Sequence, residues 1–258
     1  MNIALIGYGK MGKMVEQAAL AKGHKISVIV DPFAANEKSA IQISKSIAEA
    51  DFSSVDAAIE FTQPDTAAGN ILALAKKRIP IVVGTTDWHV HLSDVSKAID
   101  KADTSMIWAS NFSIGVNLFY RIAWYAAELA NNFPEYDVGG FEVHHNKKID
   151  SPSGTAKILA EGVLSRISRK KRMVWETMNN RPEADEFHFP SMRLGSVPGT
   201  HSLFFDSQAD TIEITHTART REGFASGAIL AAQWLTAEER QGVFTIDDMM
   251  NDLFKENL

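Results

Sequence analysis

The sequence contains no cysteine, which excludes disulfides, a thiolate nucleophile and cysteine-ligated metals. It also lacks an excess of positive charge, because 26 Lys and Arg residues face 32 Asp and Glu residues. Without a basic footprint we predict no nucleic-acid partner. No H-E-x-x-H or comparable spacing occurs, so we predict no bound metal. No apolar run approaches the ~20 residues that cross a membrane, and we expect no membrane partner.

Targeting signals are also missing from the start of the chain. A strand-like apolar run begins at Asn2 and leaves no room for a signal peptide. Together with the absence of cysteine, this start predicts a cytoplasmic protein.

The residues that are present predict a packed protein of the α/β class. Hydrophobic residues make up 45% of the chain and charged residues 22%. Alternation of strand-like and helix-like runs in the first half predicts a Rossmann-like, doubly wound parallel sheet. The predicted strands are residues 3–6, 26–30, 57–61, 80–83 and 105–108, and the predicted helices are residues 11–22, 65–77 and 88–101.

The pattern changes at about Ile114 and predicts a second, α+β domain. A long amphipathic helix over residues 114–132 precedes a strand at 136–145 and a helix at 155–167. Two β-rich runs follow at 200–207 and 211–217, with a turn between them at 207–210. We expect a mixed or antiparallel sheet here, and a final helix at 224–235.

A glycine-rich turn follows the first predicted strand. Gly7, Gly9 and Gly12 form G-x-G-x-x-G between a strand and a helix, and Asp31 ends the second strand. The first glycine permits the tight turn, the second lets the backbone approach a pyrophosphate, and the third allows close helix–strand packing. In this context the motif favours a dinucleotide site over a purely structural turn.

Asp31 bears on the choice of cofactor. A carboxylate there accepts hydrogen bonds from ribose hydroxyls and repels a 2′-phosphate. Pro32 and Phe33 follow it where an arginine would favour NADP(H), although Lys10 and Lys38 offer positive charge. We therefore predict NADH as the preferred cofactor and NADPH as an alternative.

The segment from His144 to Ala156 carries the second concentration of chemistry. Pro152 and Gly154 place it between the strand at 136–145 and the following helix. Its end suits a helix entrance that binds an anion, where hydroxyls can also donate. An ordinary polar loop with an N-cap explains Ser153 or Thr155, but not the histidines and lysines before them. We interpret the segment as a substrate site.

Together these segments resemble the dihydrodipicolinate reductases, also called 4-hydroxy-tetrahydrodipicolinate reductases, of bacterial lysine biosynthesis. The resemblance extends over essentially the whole chain, and the HH-xx-K-x-D-x-PSGTA arrangement is highly specific. The motifs that carry it are the glycine turn, residues 60–64, 84–86, 109–113, 142–156, 199–201, 216–221 and 224–228.

The resemblance implies roles position by position. His144 and Lys148 match the proposed catalytic residues, His144 as general acid/base and Lys148 as a lysine that donates a proton and binds a carboxylate. His145 matches a substrate contact, and Ser153, Gly154 and Thr155 match the loop that holds a substrate carboxylate. The implied cofactor-binding residues are Gly7, Tyr8, Gly9, Lys10, Met11, Gly12, Asp31, Gly84, Thr85, Thr86, Ala109, Ser110, Asn111, Phe112 and Arg221.

The implied activity is NAD(P)H-dependent reduction of 4-hydroxy-tetrahydrodipicolinate, a small dicarboxylate, to tetrahydrodipicolinate in lysine and diaminopimelate biosynthesis. The family further implies a homotetramer, with residues 1–113 and 222–258 binding the dinucleotide and residues 114–221 binding substrate and forming the oligomer. The alternatives are another two-domain Rossmann amino-acid dehydrogenase, such as an aspartate or diaminopimelate dehydrogenase, and a non-catalytic NAD(H) sensor.

Two features receive no catalytic role from the sequence. His201 and His216 lie in predicted strands, where a structural hydrogen bond is the safer interpretation. The segment 181–191, rich in proline and acids, matches no known role.

Overall fold

The computed structural model describes residues 1–34 and 41–255, so Lys38 lies outside the described part. The chain divides into two compact units, Met1–Ser113 with Glu222–Leu258, and Ile114–Arg221. Among the described residues, no helix is long and apolar enough to span a membrane.

The first unit is built on a parallel sheet. Its strands are β1 (Asn2–Ile6), β2 (Lys25–Val30), β3 (Ile43–Ser44), β4 (Ala57–Glu60), β5 (Ile81–Val83), β6 (Ser105–Trp108) and, late in the chain, β13 (Gly242–Thr245). Within the described ranges the order is β13-β6-β5-β4-β1-β2-β3, and every pairing is parallel. The order reverses beside β1, which confirms the predicted doubly wound sheet and creates the switch point where such sheets bind ligands.

Helices flank this sheet. They are α1 (Lys10–Ala21), α2 (Pro64–Lys76), α3 (Leu92–Lys101), α6 (Glu222–Ala237) and α7 (Ile246–Lys255). The helix predicted over 88–101 begins later, because His89–His91 forms a 3₁₀ turn before α3. Helix α6 packs against α1 and β4, so the end of the chain completes the first unit.

The second unit contains a mixed sheet. Its strands and helices are α4 (Ile114–Ala130), β7 (Asp137–His144), α5 (Gly154–Leu164), β8 (Arg172–Val174), β9 (Glu186–His188), β10 (Ser191–Arg193), β11 (Thr200–Asp206) and β12 (Thr211–Thr217). The described strands pair in the order β10-β7-β11-β12, and β8 pairs with β9 in a separate ribbon. Strand β10 is parallel to β7, whereas β11 is antiparallel to both β7 and β12.

Apolar side chains of α4, α5 and one face of this sheet form the core of the second unit. Phe187 and Phe189, from the segment without an assigned role, are completely buried in that core. The turn predicted at 207–210 is confirmed, since the Ser207 N–H donates to the Asp210 carbonyl at 2.9 Å.

Candidate active site

The glycine turn is built as a dinucleotide cradle requires. Gly7 has φ +92°, and a Cβ there would lie 2.1 Å from the Phe61 carbonyl oxygen. A Cβ at Gly12 would lie 2.2 Å from the Gly7 carbonyl oxygen, so the turn touches the first turn of α1. At Gly9, by contrast, a Cβ meets nothing within 4 Å. The open backbone at Gly9 and the N-terminus of α1, beginning at Lys10, fit a pyrophosphate.

Asp31 is fixed at the carboxyl end of β2. Its Oδ2 accepts the Tyr8 N–H at 2.7 Å, and its Oδ1 accepts the N–H groups of Phe33 and Ala34. Oδ2 accepts only the Tyr8 N–H among these donors and has a second lone pair, so Asp31 retains acceptor capacity for a ribose hydroxyl. The Tyr8 bond also ties Asp31 to the glycine turn.

Buried polar groups brace the loops after β4 and β5. The Thr62 N–H donates to Oγ1 of Thr85 at 2.8 Å, and the Thr62 hydroxyl donates to the buried Glu60. Burial raises the pKa of the Glu60 carboxyl, and hydrogen bonds from Thr62, Thr85 and Asn70 offset only part of this effect. Gly84 fits against the Phe61 ring, which a Cβ would strike at 2.0 Å.

The remaining predicted cofactor residues differ in burial and in the unit to which they belong. Ala109, Asn111 and Phe112 are buried after β6, and Oδ1 of Asn111 accepts the Ser113 N–H at 2.8 Å. Thr86 and Ser110 are exposed beside them, and Met11 lies in the first turn of α1. Arg221 is exposed and belongs to the second unit, unlike all the other predicted cofactor residues.

In the second unit, strand register gathers polar side chains on one face. Residues two apart on a strand point the same way, so Glu142 and His144 share a face of β7. Ser191 on β10 and His201 on β11 are the register partners of Glu142, one on each side. Arg193 is the register partner of His144. The sheet therefore surrounds one buried carboxylate with donors from three strands.

Glu142 is the centre of this group and is fully buried. Oε2 lies 3.3 Å from Nδ1 of His144 and 3.4 Å from Nε2 of His201. The other oxygen, Oε1, accepts the Ser153 N–H at 3.0 Å and the Ser191 hydroxyl at 2.7 Å. Both terminal nitrogens of Arg193 lie 3.3 Å from Oε1.

These contacts decide which groups carry charge. Burial alone would raise the pKa of Glu142, but hydrogen bonds from His144, His201, Ser153 and Ser191 outweigh it and hold the pKa well below its usual range. Burial lowers the pKa of His201, and the attraction of Glu142 compensates only in part. Glu142 is therefore ionised and His201 neutral near pH 7.

Ser153 connects this cluster to helix α5. It is the N-cap, accepting the Ala156 N–H at 3.1 Å, and its own hydroxyl donates to Glu142. The hydroxyl hydrogen is thus used within the protein, and the N-terminus of α5 itself supplies the positive end that favours an anion. A Cβ at Gly154 would meet nothing within 4 Å, so an anion can approach there.

Lys148 has a partner, Asp150, to which the sequence analysis gave no role. Its Nζ lies 2.8 Å from Oδ1 of Asp150. Burial acts to raise the pKa of Asp150, but the Lys148 ammonium outweighs it and the pKa lies below its usual value. Asp150 is in turn held near the cluster, because Arg193 donates to its backbone carbonyl at 2.7 Å. His145 is half-buried and accepts the Lys148 N–H at its carbonyl.

Sequence reasoning missed most of the cluster. It left His201 structural, gave no role to Arg193 or Asp150, and left the segment containing Ser191 unassigned. One signal was available, since Glu142 precedes His144 by two residues and must share its face in a strand. The others depend on register between distant strands.

The cluster also contains metal-ligating side chains. Glu142, His144 and His201 offer ligand atoms within 4.8 Å of one another. However, Arg193 already neutralises the carboxylate at 3.3 Å, and two serine hydroxyls bond to it. A divalent cation would have to displace these donors, so the arrangement suits proton chemistry better than metal binding.

A Rossmann-type unit with an open glycine turn, and a second unit that joins His144 and Lys148 to the N-terminus of α5, are the arrangement expected of a dinucleotide-dependent oxidoreductase. A family model described as dihydrodipicolinate reductase, N-terminus, matches residues 1–112, and one described as dihydrodipicolinate reductase, C-terminus, matches residues 115–250. The chain belongs to the dihydrodipicolinate reductase family.

Individual relatives agree. A 4-hydroxy-tetrahydrodipicolinate reductase from Christiangramia forsetii is 40% identical over 260 residues, covering 99% of this chain and 100% of the relative. One from Archaeoglobus fulgidus is 33% identical and covers 97% of this chain and 100% of the relative. A dipicolinate-bound dihydrodipicolinate reductase from Paenisporosarcina sp. TG-14 shares the fold, with a TM-score of 0.76 at 20% identity over 95% of this chain and 97% of that one.

The family membership confirms the resemblance and the predicted activity. The protein is an oxidoreductase that reduces 4-hydroxy-tetrahydrodipicolinate with NAD(P)H in lysine and diaminopimelate biosynthesis. A diaminopimelate dehydrogenase structure from C. glutamicum has a TM-score of 0.53 at 15% identity, which is a likeness of fold alone. Neither the alternative of another dehydrogenase nor that of a non-catalytic sensor is supported.

Proposed function

We propose that the chain carries out this reduction with NADH as its preferred cofactor, bound by the first unit, and with His144 as the proton donor in the second. The observation that supports NADH is the placement of Asp31, whose carboxylate is held by the Tyr8 N–H of the glycine turn at 2.7 Å. A fixed negative charge there favours ribose hydroxyls over a 2′-phosphate. Membership of the family implies NAD(P)H as the cofactor but does not distinguish NADH from NADPH.

The test is oxidation of NADH and NADPH by the purified protein, with substrate generated in place from pyruvate and aspartate semialdehyde by the preceding synthase. We expect turnover with both and a higher kcat/KM with NADH. An equal or higher kcat/KM with NADPH would contradict the role given to Asp31, whereas absence of turnover with either would contradict the reductase activity.

The chain's own residues supply placement and protons in this scheme. The bound nicotinamide supplies the hydride. Lys148 and residues Ser153 to Thr155, the N-cap and first residues of α5, bind the substrate carboxylates, and His145 contacts the substrate. His144 donates the proton that must accompany reduction of an imine-like ring, since an imidazole is a suitable acid near neutral pH.

Lys148→Ala is expected to raise the substrate KM by roughly tenfold to a hundredfold, as loss of a charge-assisted hydrogen bond would. NADH affinity should not change. The matched control is Lys147→Ala. It removes the same charge from the preceding residue, whose side chain is exposed. Steady-state kinetics compare the two variants, and an unchanged KM in Lys148→Ala would remove the carboxylate-binding role.

We further propose a cytoplasmic homotetramer assembled through the second unit. The support is an apolar stripe along α4, where Leu118, Ile122, Tyr125 and Leu129 recur at helical spacing and are exposed. Phe141 and Phe204 also stack, with ring centroids 5.8 Å apart, on the face of the second unit's sheet that lies opposite its hydrophobic core. Such apolar surface is typical of subunit interfaces. Sedimentation analysis should give four times the chain mass.

A further inference from the structure

The buried Glu142 carries an inference beyond the residues assigned above. We propose that Glu142 is a positioning residue, which orients the His144 ring and joins it to the Ser153 loop through one carboxylate. This inference rests on the donor role proposed for His144. It concerns a group buried beneath the substrate site rather than one that touches substrate.

The geometry assigns the two edges of the His144 ring. Nδ1 lies 3.3 Å from the carboxylate, and an anion at that distance favours the neutral tautomer that carries its hydrogen on Nδ1. The opposite edge faces Gly199, where a Cβ would lie 2.9 Å from Nε2. Glycine at this position keeps a side chain away from Nε2. The donated proton is therefore the one on Nε2, and Glu142 holds the ring with that atom towards Gly199.

Titratable and charged groups face the His144 ring from three strands. Glu142 faces it from β7, the neutral His201 from β11, and Arg193 lies opposite it on β10. Lys148 adds a second fixed positive charge on the following loop, paired with Asp150. Glu142 is thus an anion shared by His144 and Arg193. Because His201 stays neutral, it shares the carboxylate without competing for the charge.

The same carboxylate ties the proton donor to the anion-binding loop. Oε1 accepts the Ser153 N–H, Oε2 accepts the Ser153 hydroxyl, and Ser153 caps α5. A change at Glu142 is therefore transmitted to both parts of the substrate site. This arrangement parallels catalytic sites in which a buried carboxylate fixes the tautomer and orientation of a histidine.

The test is Glu142→Gln, assayed for kcat across pH and for NADH affinity. We expect kcat to fall by about ten- to a hundredfold, the range for loss of a group that orients a functional histidine. The pH profile of kcat should also change, because the carboxylate that lies 3.3 Å from Nδ1 of His144 is gone. NADH affinity, a property of the first unit, should be unchanged.

Asp137→Asn is the matched control. It makes the same carboxylate-to-amide change on β7 and removes the partner of the buried Lys170, whose Nζ lies 2.6 Å away. It should lower thermal stability yet leave the pH profile unchanged, so a profile shift in Glu142→Gln cannot come from destabilisation alone. A profile that shifts equally in both variants would overturn the inference.

The double variant Glu142→Gln/His144→Gln completes the cycle. If Glu142 acts through His144, the double variant should be no slower than His144→Gln alone. Two outcomes would overturn the positioning inference and leave the donor role intact. One is a double variant whose loss of kcat equals the product of the two single losses. The other is a wild-type pH profile of kcat in Glu142→Gln while His144→Gln is impaired. Wild-type turnover in His144→Gln would instead remove the donor role, and the inference with it.

If Glu142→Gln does not fold, the orientation of the His144 ring can still be measured in the wild-type protein. Long-range ¹⁵N–¹H spectra of histidine rings distinguish the two neutral tautomers, and comparison with His144→Gln assigns the His144 signals. We expect the neutral His144 ring to carry its hydrogen on Nδ1. Protonation at Nε2 alone would overturn the proposed orientation.

Discussion

His144→Gln is expected to lower kcat by roughly two orders of magnitude or more while leaving NADH affinity nearly unchanged. Glutamine has a similar length and can still donate a hydrogen bond, but it cannot exchange a proton near neutral pH. His144 lies in the second unit, whereas the glycine turn and Asp31 lie in the first. Steady-state kinetics and NADH fluorescence titration measure the two quantities separately.

His188→Gln is the control for that experiment. His188 lies on β9 of the same unit and contacts the Glu176 carbonyl through Nε2 at 3.0 Å, away from the cluster around Glu142. It should retain the wild-type kcat. If His144→Gln also turned over at the wild-type rate, protonation would have to come from Lys148 or solvent.

The second large effect is expected from the glycine turn. Substitution of Gly12 should lower stability, whereas substitution of Gly9 should lower cofactor affinity. Gly12→Ala should destabilise the protein by about 1–3 kcal/mol even without cofactor, because its Cβ would lie 2.2 Å from a backbone oxygen. Gly9→Ala should leave thermal stability unchanged, since its Cβ meets nothing in the protein within 4 Å. Its NADH affinity should nevertheless fall about tenfold or more, because the methyl group occupies the approach to the pyrophosphate.

Gly69→Ala provides the comparison for both variants. Gly69 is an exposed glycine inside α2 whose Cβ would also meet nothing within 4 Å. Alanine there should stabilise the helix by up to about 1 kcal/mol and leave NADH binding intact. Thermal denaturation without NADH, followed by titration, separates the three variants. Full NADH affinity in Gly9→Ala would mean that the cofactor does not approach this turn.

The sequence predicted the fold where local patterns are long or chemically distinctive. Alternating apolar runs predicted β1, β2, β4, β5 and β6 to within a residue or two. By contrast, β8, β9 and β10 were missed. Each spans three residues, too short for a period of two to stand out against neighbouring turns. The late strand β13 was missed for a related reason, because its position beside β6 depends on a long-range return of the chain.

The candidate site divides in the same way. His144, Lys148 and Ser153 follow one another in one segment, so their proximity could be predicted from the sequence and the family resemblance. The convergence of donors on Glu142 could not be predicted. Ser191 is 49 residues away in sequence, and the Ser153 hydroxyl contacts Glu142 because of the path of the loop between them. Their convergence depends on which strand lies on each side of β7 and in which register.

The sequence by itself determined the glycine turn, the residue types of the substrate segment and the family to which the chain belongs. Each of these is contained in a short stretch whose backbone conformation follows from its own residues. Only the tertiary structure decided that one buried carboxylate holds the His144 ring and the Ser153 loop together. Strand pairing sets the distances among these groups, and burial sets their charges. Both are properties of residues far apart in the chain, so no local pattern encodes them.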